Sequence, residues 1–390
     1  MNAWELAYLA EGKLRVRGGS GGPVRVVESA FARSMRERTS QIHQRHAWKM
    51  QGPGAQFMMG MLWPGKDLDS NEAAISITSV CRGRGEGELL YTLESNEISG
   101  IFALDGAGVE QRLFHTADFS VRQIALSPDR ESMAASVLHR NFCSNISVLR
   151  VDGADFYEAT EGDSVDMAPQ WAPGPGRRIV FQSAGVGRTA SGQFSSLSPF
   201  TVEQLDLGTG VLQRLAGQDG YDLINPRIDD SGALHYIRRP HVPPRHAASP
   251  VQALRDAVLF PFRLSFAIFQ FFNFFSMRYT GKPLVSPRGS VARQDPRQSS
   301  IPGDPRGMGH AALDGESDPD APAASPSWEL VRLHANGSTE VLAKRVLCFD
   351  LLPNGSVVYS DGSSVDYIPS GSNKAERVLV GRQIWQVAVI

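Results

Sequence analysis

Cysteine is scarce in this chain. Cys81, Cys143 and Cys348 are the only three in 390 residues, and no two form a Cys-x-x-Cys pair. A disulfide framework and a thiolate metal site are thereby excluded, and a reducing, cytoplasmic setting is the expectation. An excess of one charge is also lacking: 39 Lys and Arg stand against 41 Asp and Glu, which leaves no global footprint for nucleic acid. There is no P-loop, no dinucleotide fingerprint and no zinc signature, so neither a cofactor nor a metal is expected. The opening MNAWELAYLAEGKLRV has no basic leader, and Glu5 and Glu11 interrupt its apolar stretch. It reads as a strand rather than a signal peptide.

What is present is a repeat. QIALSPDRESMAASV from Gln123, PQWAPGPGRRIVFQS from Pro169, PRIDDSGALHYIRR from Pro226 and FDLLPNGSVVYS from Phe349 share one pattern. Each is a short apolar strand, a tight turn rich in Pro, Asp, Asn or Gly, and a second apolar strand. One such sheet cannot bury its own faces, so repetition of the unit predicts a β-propeller. Pro128 and Pro173 stand one ordinary blade length apart in the sequence, and the step from Asp229 to Pro353 becomes ordinary once 240–326 is set aside as an insertion. The chain then divides into blades over 1–239, an inserted segment over 240–326, and completing blades over 327–390.

The ends of the chain set the blade number. QIWQVAVI (383–390) has the place of an inner strand without partners after it, whereas Trp4–Leu9, Lys13–Arg17 and Val24–Val27 lack an inner strand before them. One blade shared by both termini predicts an all-β, six-bladed propeller closed by pairing of the N- and C-terminal strands. The stretch AFARSMRERTSQIHQRHAW within 29–63 reads as helical.

The block ATEGDSVDMAPQWAPGPGRRIVFQS (159–183) resembles the TolB-type propeller repeat. Thr160, Asp163 or Asp166, Pro169, Trp171, Pro173, Gly176 and Ile179–Phe181 match its pattern, while Ala172 and Gly174 replace the usual Ser and Asp. Weaker copies lie at 126–132 and 352–356. The resemblance implies a TolB-like, WD-repeat-like fold. The family includes periplasmic partner-binding proteins and the propeller modules of prolyl-oligopeptidase-like enzymes. Trp171 is expected to be core.

Few residues suggest chemistry. Gly18–Gly22 matches Gly-x-Ser-x-Gly, but it lies between short strands with no hydrolase-sized region after it, so a hairpin turn is expected. His43 and His46 stand three apart on the predicted helix without a third ligand. Asp118, Asp163 and Asp222 recur just before inner strands, near the expected channel mouth. They could hold a cation or a basic peptide, or satisfy backbone donors in the connecting turns.

The insertion is the unusual part. ALRDAVLFPFRLSFAIFQFFNFFSMRY (253–279) holds eight of the nineteen phenylalanines. Its polar residues, Arg255, Arg263 and Arg278 among them, gather on one helical arc, and Phe262, Phe266, Phe269 and Phe272 fall on the apolar remainder. Arg238 to Arg306 carries eleven Lys or Arg, Lys282 included, against three Asp or Glu. The strands on both sides belong to one blade, which rules out a single membrane crossing. An anionic membrane surface, the propeller's own side and a protein partner all remain as acceptors for this amphipathic helix. The rest, 286–326, reads as a disordered tether. The pattern as a whole predicts a non-catalytic scaffold that binds a protein partner and is peripheral at a membrane. The alternatives are an accessory or regulatory propeller of a peptidase-like or ATPase system, and a hydrolase or lyase with its site in the central channel.

Overall fold

The computed structural model describes residues 4–18, 21–47, 75–95, 98–189, 192, 194–242, 323–372 and 374–390; the side chains of 39, 40 and 42–47 lie outside that description. Nearly all of it is antiparallel sheet in four-stranded groups. The first unites both termini: β1 (Glu5–Ala10), β2 (Lys13–Gly18) and β3 (Val24–Val27) pair in sequence, and β25 (Ile384–Val389) pairs with β1. Leu6 faces Val389 and Tyr8 faces Val387 in that ladder. Helix α1 (Ala30–Ala47) follows β3. The next group is β4 (Ser76–Arg82), β5 (Leu89–Glu94), β6 (Ser99–Leu104) and β7 (Glu110–Thr116).

A nine-stranded sheet comes next. Its first part is β8 (Ser120–Leu126), β9 (Ser132–Leu138), β10 (Ser144–Arg150) and a two-residue β11 (Tyr157–Glu158). Its second is β12 (Ser164–Trp171), β13 (Arg178–Arg188), β15 (Thr201–Asp206) and β16 (Leu212–Ala216), with β14 (Phe194–Leu197) folded back on the end of β13. The parts meet at a single parallel bridge, Ser144 to Val165. Then follow β17 (Tyr221–Ile228), β18 (Leu234–Pro240), β19 (Glu329–Leu333) and β20 (Thr339–Lys344). Last are β21 (Cys348–Leu351), β22 (Val357–Ser360), β23 (Ser364–Ile368) and β24 (Glu376–Val380). The chain leaves β18 and re-enters at β19, so 243–322 is an excursion within one sheet.

Burial explains why these residues are strands. β5 (LLYTLE) and β6 (SGIFAL) are buried along their whole length, because both faces are covered by neighbouring groups. The fourth strands β7, β16 and β24 are largely exposed and carry the polar residues. Apolar clusters fill each interface in turn. Ala7, Leu9 and Val16 meet Val80, Tyr91 and Phe102. Leu90 and Ile101 meet Ile124 and Met133. Ala134 and Ile146 meet Ile179 and Phe181. Val180 and Val202 meet Leu223 and Tyr236. Ile237 and Leu330 meet Phe349 and Val357, and Cys348 and Val358 meet Leu6 and Tyr8 of the first group.

Turn chemistry matches the sequence. Asp229 Oδ1 accepts from the Ser231 and Ala233 N–H groups, and Gly232 supplies the positive φ of 83°. Gly153 serves close approach instead: a Cβ there would stand 2.1 Å from the Leu113 carbonyl oxygen on the neighbouring group. The helix is anchored at its start, where the Ala30 and Phe31 N–H groups donate to the Glu110 carboxylate of β7 at 2.8 and 3.0 Å. Trp171 meets its expectation in part: it packs against the cluster of Ala134, Ile146, Ile179 and Phe181. It is half-buried, and its Nε1 donates to the Ala125 carbonyl at 3.1 Å, so it also joins two groups.

Candidate functional site

Two places concentrate polar side chains: the axis lined by the first strands, and the end of the sheets where those strands begin.

At the axis, most of the inner strands are bulged. Their ladders skip a register at Thr78, Arg122, Ala168–Pro169, Asn225–Pro226 and Trp385. Ala168 and Asn225 have φ of 52° and 54°. A proline has no N–H to give to a ladder, so Pro169 and Pro226 fit only where the ladder is interrupted. Backbone groups at or near the bulged inner strands are taken up by side chains of the preceding group. Gln386 Oε1 accepts the Val80 N–H at 3.2 Å, and its Nε2 donates to the Val80 carbonyl at 3.0 Å. Ser79 Oγ accepts from Ile124 N–H at 3.3 Å. Gln123 Oε1 accepts from Ala168 N–H at 2.8 Å, and Gln182 Oε1 from Asn225 N–H at 2.7 Å. Arg227 Nε donates to the Phe349 carbonyl at 3.2 Å, with its Nη1 3.3 Å from Asp350 Oδ1. Asp350 Oδ2 accepts from Val389 N–H at 2.8 Å, back on β25. Ser79, Gln123, Gln182, Arg227 and Gln386 are among the residues around a cavity of about 50 Å³. That is room for a monatomic ion or a few waters, far below the 300–1,000 Å³ of an ordinary small-molecule site. None of the axial residues Gln123, Gln182, Arg227 and Trp385 was singled out by sequence. The signal available was a proline inside an inner strand.

At the other place, the three carboxylates predicted to share a channel mouth have separate environments. Asp118 is exposed on the turn between β7 and β8, where its N–H donates to Thr116 Oγ1 at 3.1 Å. Asp163 is also exposed and pairs with Arg188 Nε at 2.7 Å. Arg188 Nη2 lies 3.0 Å from Cys143 Sγ and donates to the Asn141 carbonyl at 3.2 Å. The Arg188 bond holds the Asp163 carboxyl below its ordinary value. Burial pushes the Cys143 thiol up, against the pull of Arg188. Asp222 lies within β17 rather than before it, and it is buried. Its Oδ2 accepts from Arg239 Nε at 3.1 Å and its Oδ1 from the Phe200 N–H at 3.1 Å, with His241 Nδ1 2.7 Å away. Trp328 covers Arg239 at 5.0 Å from its ring centre. Burial pulls the Arg239 guanidinium below its ordinary value, and Asp222 opposes that shift.

An open groove of about 510 Å³ on the β13–β15–β16 sheet, near this end, is lined by Ser183, Thr201, Glu203, Arg214 and Gln218 among others. Glu203 Oε1 takes both Thr201 Oγ1 and Arg214 Nε at 2.8 Å. Below it the buried Asp166 accepts from Ser183 Oγ at 2.7 Å, and burial raises its carboxyl pKa. Among the described residues, no three His, Cys, Asp or Glu have the geometry to hold a metal ion. His43 and His46 do lie on α1, but their side chains are outside the described residues. Gly18–Gly22 spans the β2–β3 hairpin connection, as expected of a turn. Arg255, Phe262, Arg263, Phe266, Phe269, Phe272, Arg278 and Lys282 fall outside the described residues. No helix among the described residues is long and apolar enough to cross a membrane.

With this geometry the fold can be placed by comparison. No protein-family model and no curated protein matches the chain. Among solved structures, TolB from Acinetobacter baumannii aligns with 99% of this chain and 66% of its own, at 11% identity and a TM-score of 0.53. A chain of a nidogen/laminin complex aligns with 99% of this chain and 98% of its own, at 10% identity and a TM-score of 0.53. The chain thus spans slightly under two thirds of the TolB chain it matches. It has the fold of the TolB-like β-propellers, and at these identities the likeness is one of fold alone.

Proposed function

We propose that this chain is a closed, six-bladed propeller that works as a non-catalytic scaffold, binding a protein partner on the end of the disc where the inner strands begin. Closure is supported by β25 pairing with β1 and by the run of apolar interfaces and axial hydrogen bonds that returns to the first group. A propeller without its last inner strand would expose the edge of β1 and lose the Asp350–Val389 bond. Removal of Gln383–Ile390 should therefore abolish cooperative folding.

One observation carries the functional reading: the elaborations share one end of the sheets. The β13–β14 hairpin, the His139–Cys143 turn and the excursion between β18 and β19 all connect second to third strands. The opposite end has short Asp-, Asn- and Gly-containing turns such as Asp206–Gly210 and Asn336–Gly337. Variable loops on a rigid support are the usual place of recognition in such folds. The nidogen/laminin complex gives the idea of a protein partner. A channel enzyme has less support, because the axial side chains are engaged in holding blade to blade around a cavity of about 50 Å³. On sequence grounds alone, the Phe-rich 253–279 with its basic flanks adds attraction to an anionic membrane.

The test places a photo-crosslinking residue at Ser196 on the elaborated end or at Val211 on the other, both exposed. A discrete protein adduct from the Ser196 position, absent from the Val211 position, is the expected result. Equal adducts from both would sink the assignment of the face. Flotation of the full chain with anionic but not neutral liposomes, reversed by high salt, tests the membrane element separately.

A further inference from the structure

Two buried donors at the axis have no acceptor among the described residues: Gln182 Nε2 and Trp385 Nε1. Both residues line the same cavity of about 50 Å³, and Gln182 is 1% exposed. The direction of the carboxamide is fixed by its other end. Gln182 Oε1 receives the Asn225 N–H at 2.7 Å, so the amino group is the end left over. Gln123 repeats the arrangement, its Oε1 receiving Ala168 N–H at 2.8 Å and Ser136 Oγ at 3.2 Å. Arg227 adds a guanidinium beside the same cavity.

Acceptors of the wall that face these donors are engaged elsewhere: Gln123 Oε1, Gln182 Oε1 and Gln386 Oε1 each take a backbone N–H. The Phe349 carbonyl takes Arg227 Nε and Asn225 Nδ2. The unpartnered buried side-chain groups among the described residues that line the cavity are both donors, Gln182 Nε2 and Trp385 Nε1. A water molecule placed there must aim two protons of its own at acceptors, whereas a monatomic anion accepts from every side and donates nothing. The size suits either.

We propose that the axis is a binding site for a halide-sized monovalent anion, held by Gln182 Nε2, Trp385 Nε1 and Arg227. Those three residues come from β13, β25 and β17, so the ion ties the terminal strand to the middle of the chain. It is a structural ligand of the disc, independent of any partner.

Crystals of the full chain soaked in sodium bromide, with data collected at the bromine edge, give the direct test. The expected result is an anomalous peak in the axial cavity at hydrogen-bond distance from both nitrogens. Ordered water there without anomalous signal, or bromide only against surface Lys and Arg (an adventitious ion only), overturns the proposal. In solution, Tm is followed with rising bromide against sodium gluconate at fixed ionic strength. A ligand of the folded state raises Tm in proportion to its occupancy. Trp385→Phe keeps the ring and removes the N–H, and Gln182→Met removes the amide at similar length. Bromide should protect the parent measurably more than either variant. An identical bromide response in parent and variants overturns the proposal, and the crystal readout stands even if a variant fails to fold.

Discussion

Asp163 and Asp222 both lie near the start of an inner strand, Asp163 just before β12 and Asp222 within β17, and the fold treats them oppositely. The Asp163 side chain is 61% exposed with one arginine beside it; that of Asp222 is 5% exposed, held by an arginine, a histidine and a backbone N–H. The difference is in what covers each. Beside Asp163, among the described residues, stand Arg188 of the β13–β14 hairpin and Cys143 at the end of the His139–Cys143 turn, and both leave it open. Over Asp222 the chain brings back Trp328, on the return leg of the excursion between β18 and β19, to lie across Arg239. Nearness to the start of an inner strand therefore does not decide how a carboxylate is held. Its environment comes from the parts of the chain that depart from the repeat.

The strongest way to sharpen that contrast is Asp222→Ala. It takes the carboxylate from a buried guanidinium and the acceptor from Phe200 N–H, and should cost about 3–5 kcal/mol in denaturant unfolding. The double change Asp222→Ala with Arg239→Met should recover much of the loss, since an apolar side chain needs no counter-charge. If the double variant is no more stable than the single one, the ion pair is not the source of the cost. Trp328→Leu tests the cover itself. It keeps an apolar side chain but loses the indole over Arg239 and part of the packing on Leu330 and Val346, and should cost on the order of 2 kcal/mol. A cost near zero would mean that the return leg does not bury the corner.

Much of the framework could be read from residues: the strand–turn–strand repeat, the shared terminal blade, the helix after β3 and the excursion within one sheet. Each rests on local periodicity and turn chemistry, which act over a few residues. The axial network was not legible. Glutamines at 123 and 182 are ordinary strand residues until the bulges at Ala168 and Asn225 free an N–H for each, and those bulges depend on contacts between blades. Pro169 and Pro226 were read as strand residues, although a proline in an inner strand is itself a sign of a broken ladder. The burial of Asp222 could not be read either, because its cover, Trp328, is more than a hundred residues away in sequence.

A third carboxylate extends the comparison to the other end of the same sheet. Asp229 Oδ2 lies 2.9 Å from Nε2 of the fully buried His235. Burial lowers the His235 pKa, and Asp229 opposes that only in part. The unfolded chain then takes up a proton near pH 6.5 that the folded chain refuses. Stability contributed by His235 is present above that pH and falls as pH drops below it, by up to about 1.4 kcal/mol per pH unit until the folded value is reached. Asp229, itself held low in the fold, acts in a separate window below about pH 4. His235→Gln should flatten the slope between pH 6.5 and 5; an unchanged slope would assign it to other groups.

The smallest stability effect is expected at Asp163, and it comes with a chemical signature. An ion pair open to water contributes little, so Asp163→Asn should leave Tm close to that of the parent. The neighbouring thiol should still respond. Cys143 is kept protonated mainly by burial, with Asp163 raising its pKa and Arg188 lowering it. Removing the carboxylate leaves Arg188 Nη2 beside Sγ without its counter-charge, so the thiolate becomes easier to form. Labelling by a small thiol reagent at pH 8 should therefore be faster in Asp163→Asn than in the parent, and slower in Asp163→Asn with Arg188→Gln. Burial pushes the Cys348 thiol far up, and as a residue of the β21 core it serves as the internal control that stays unlabelled in all three proteins. A large loss of Tm in Asp163→Asn, or labelling that ignores Arg188, would break the contrast between the exposed corner and the buried one.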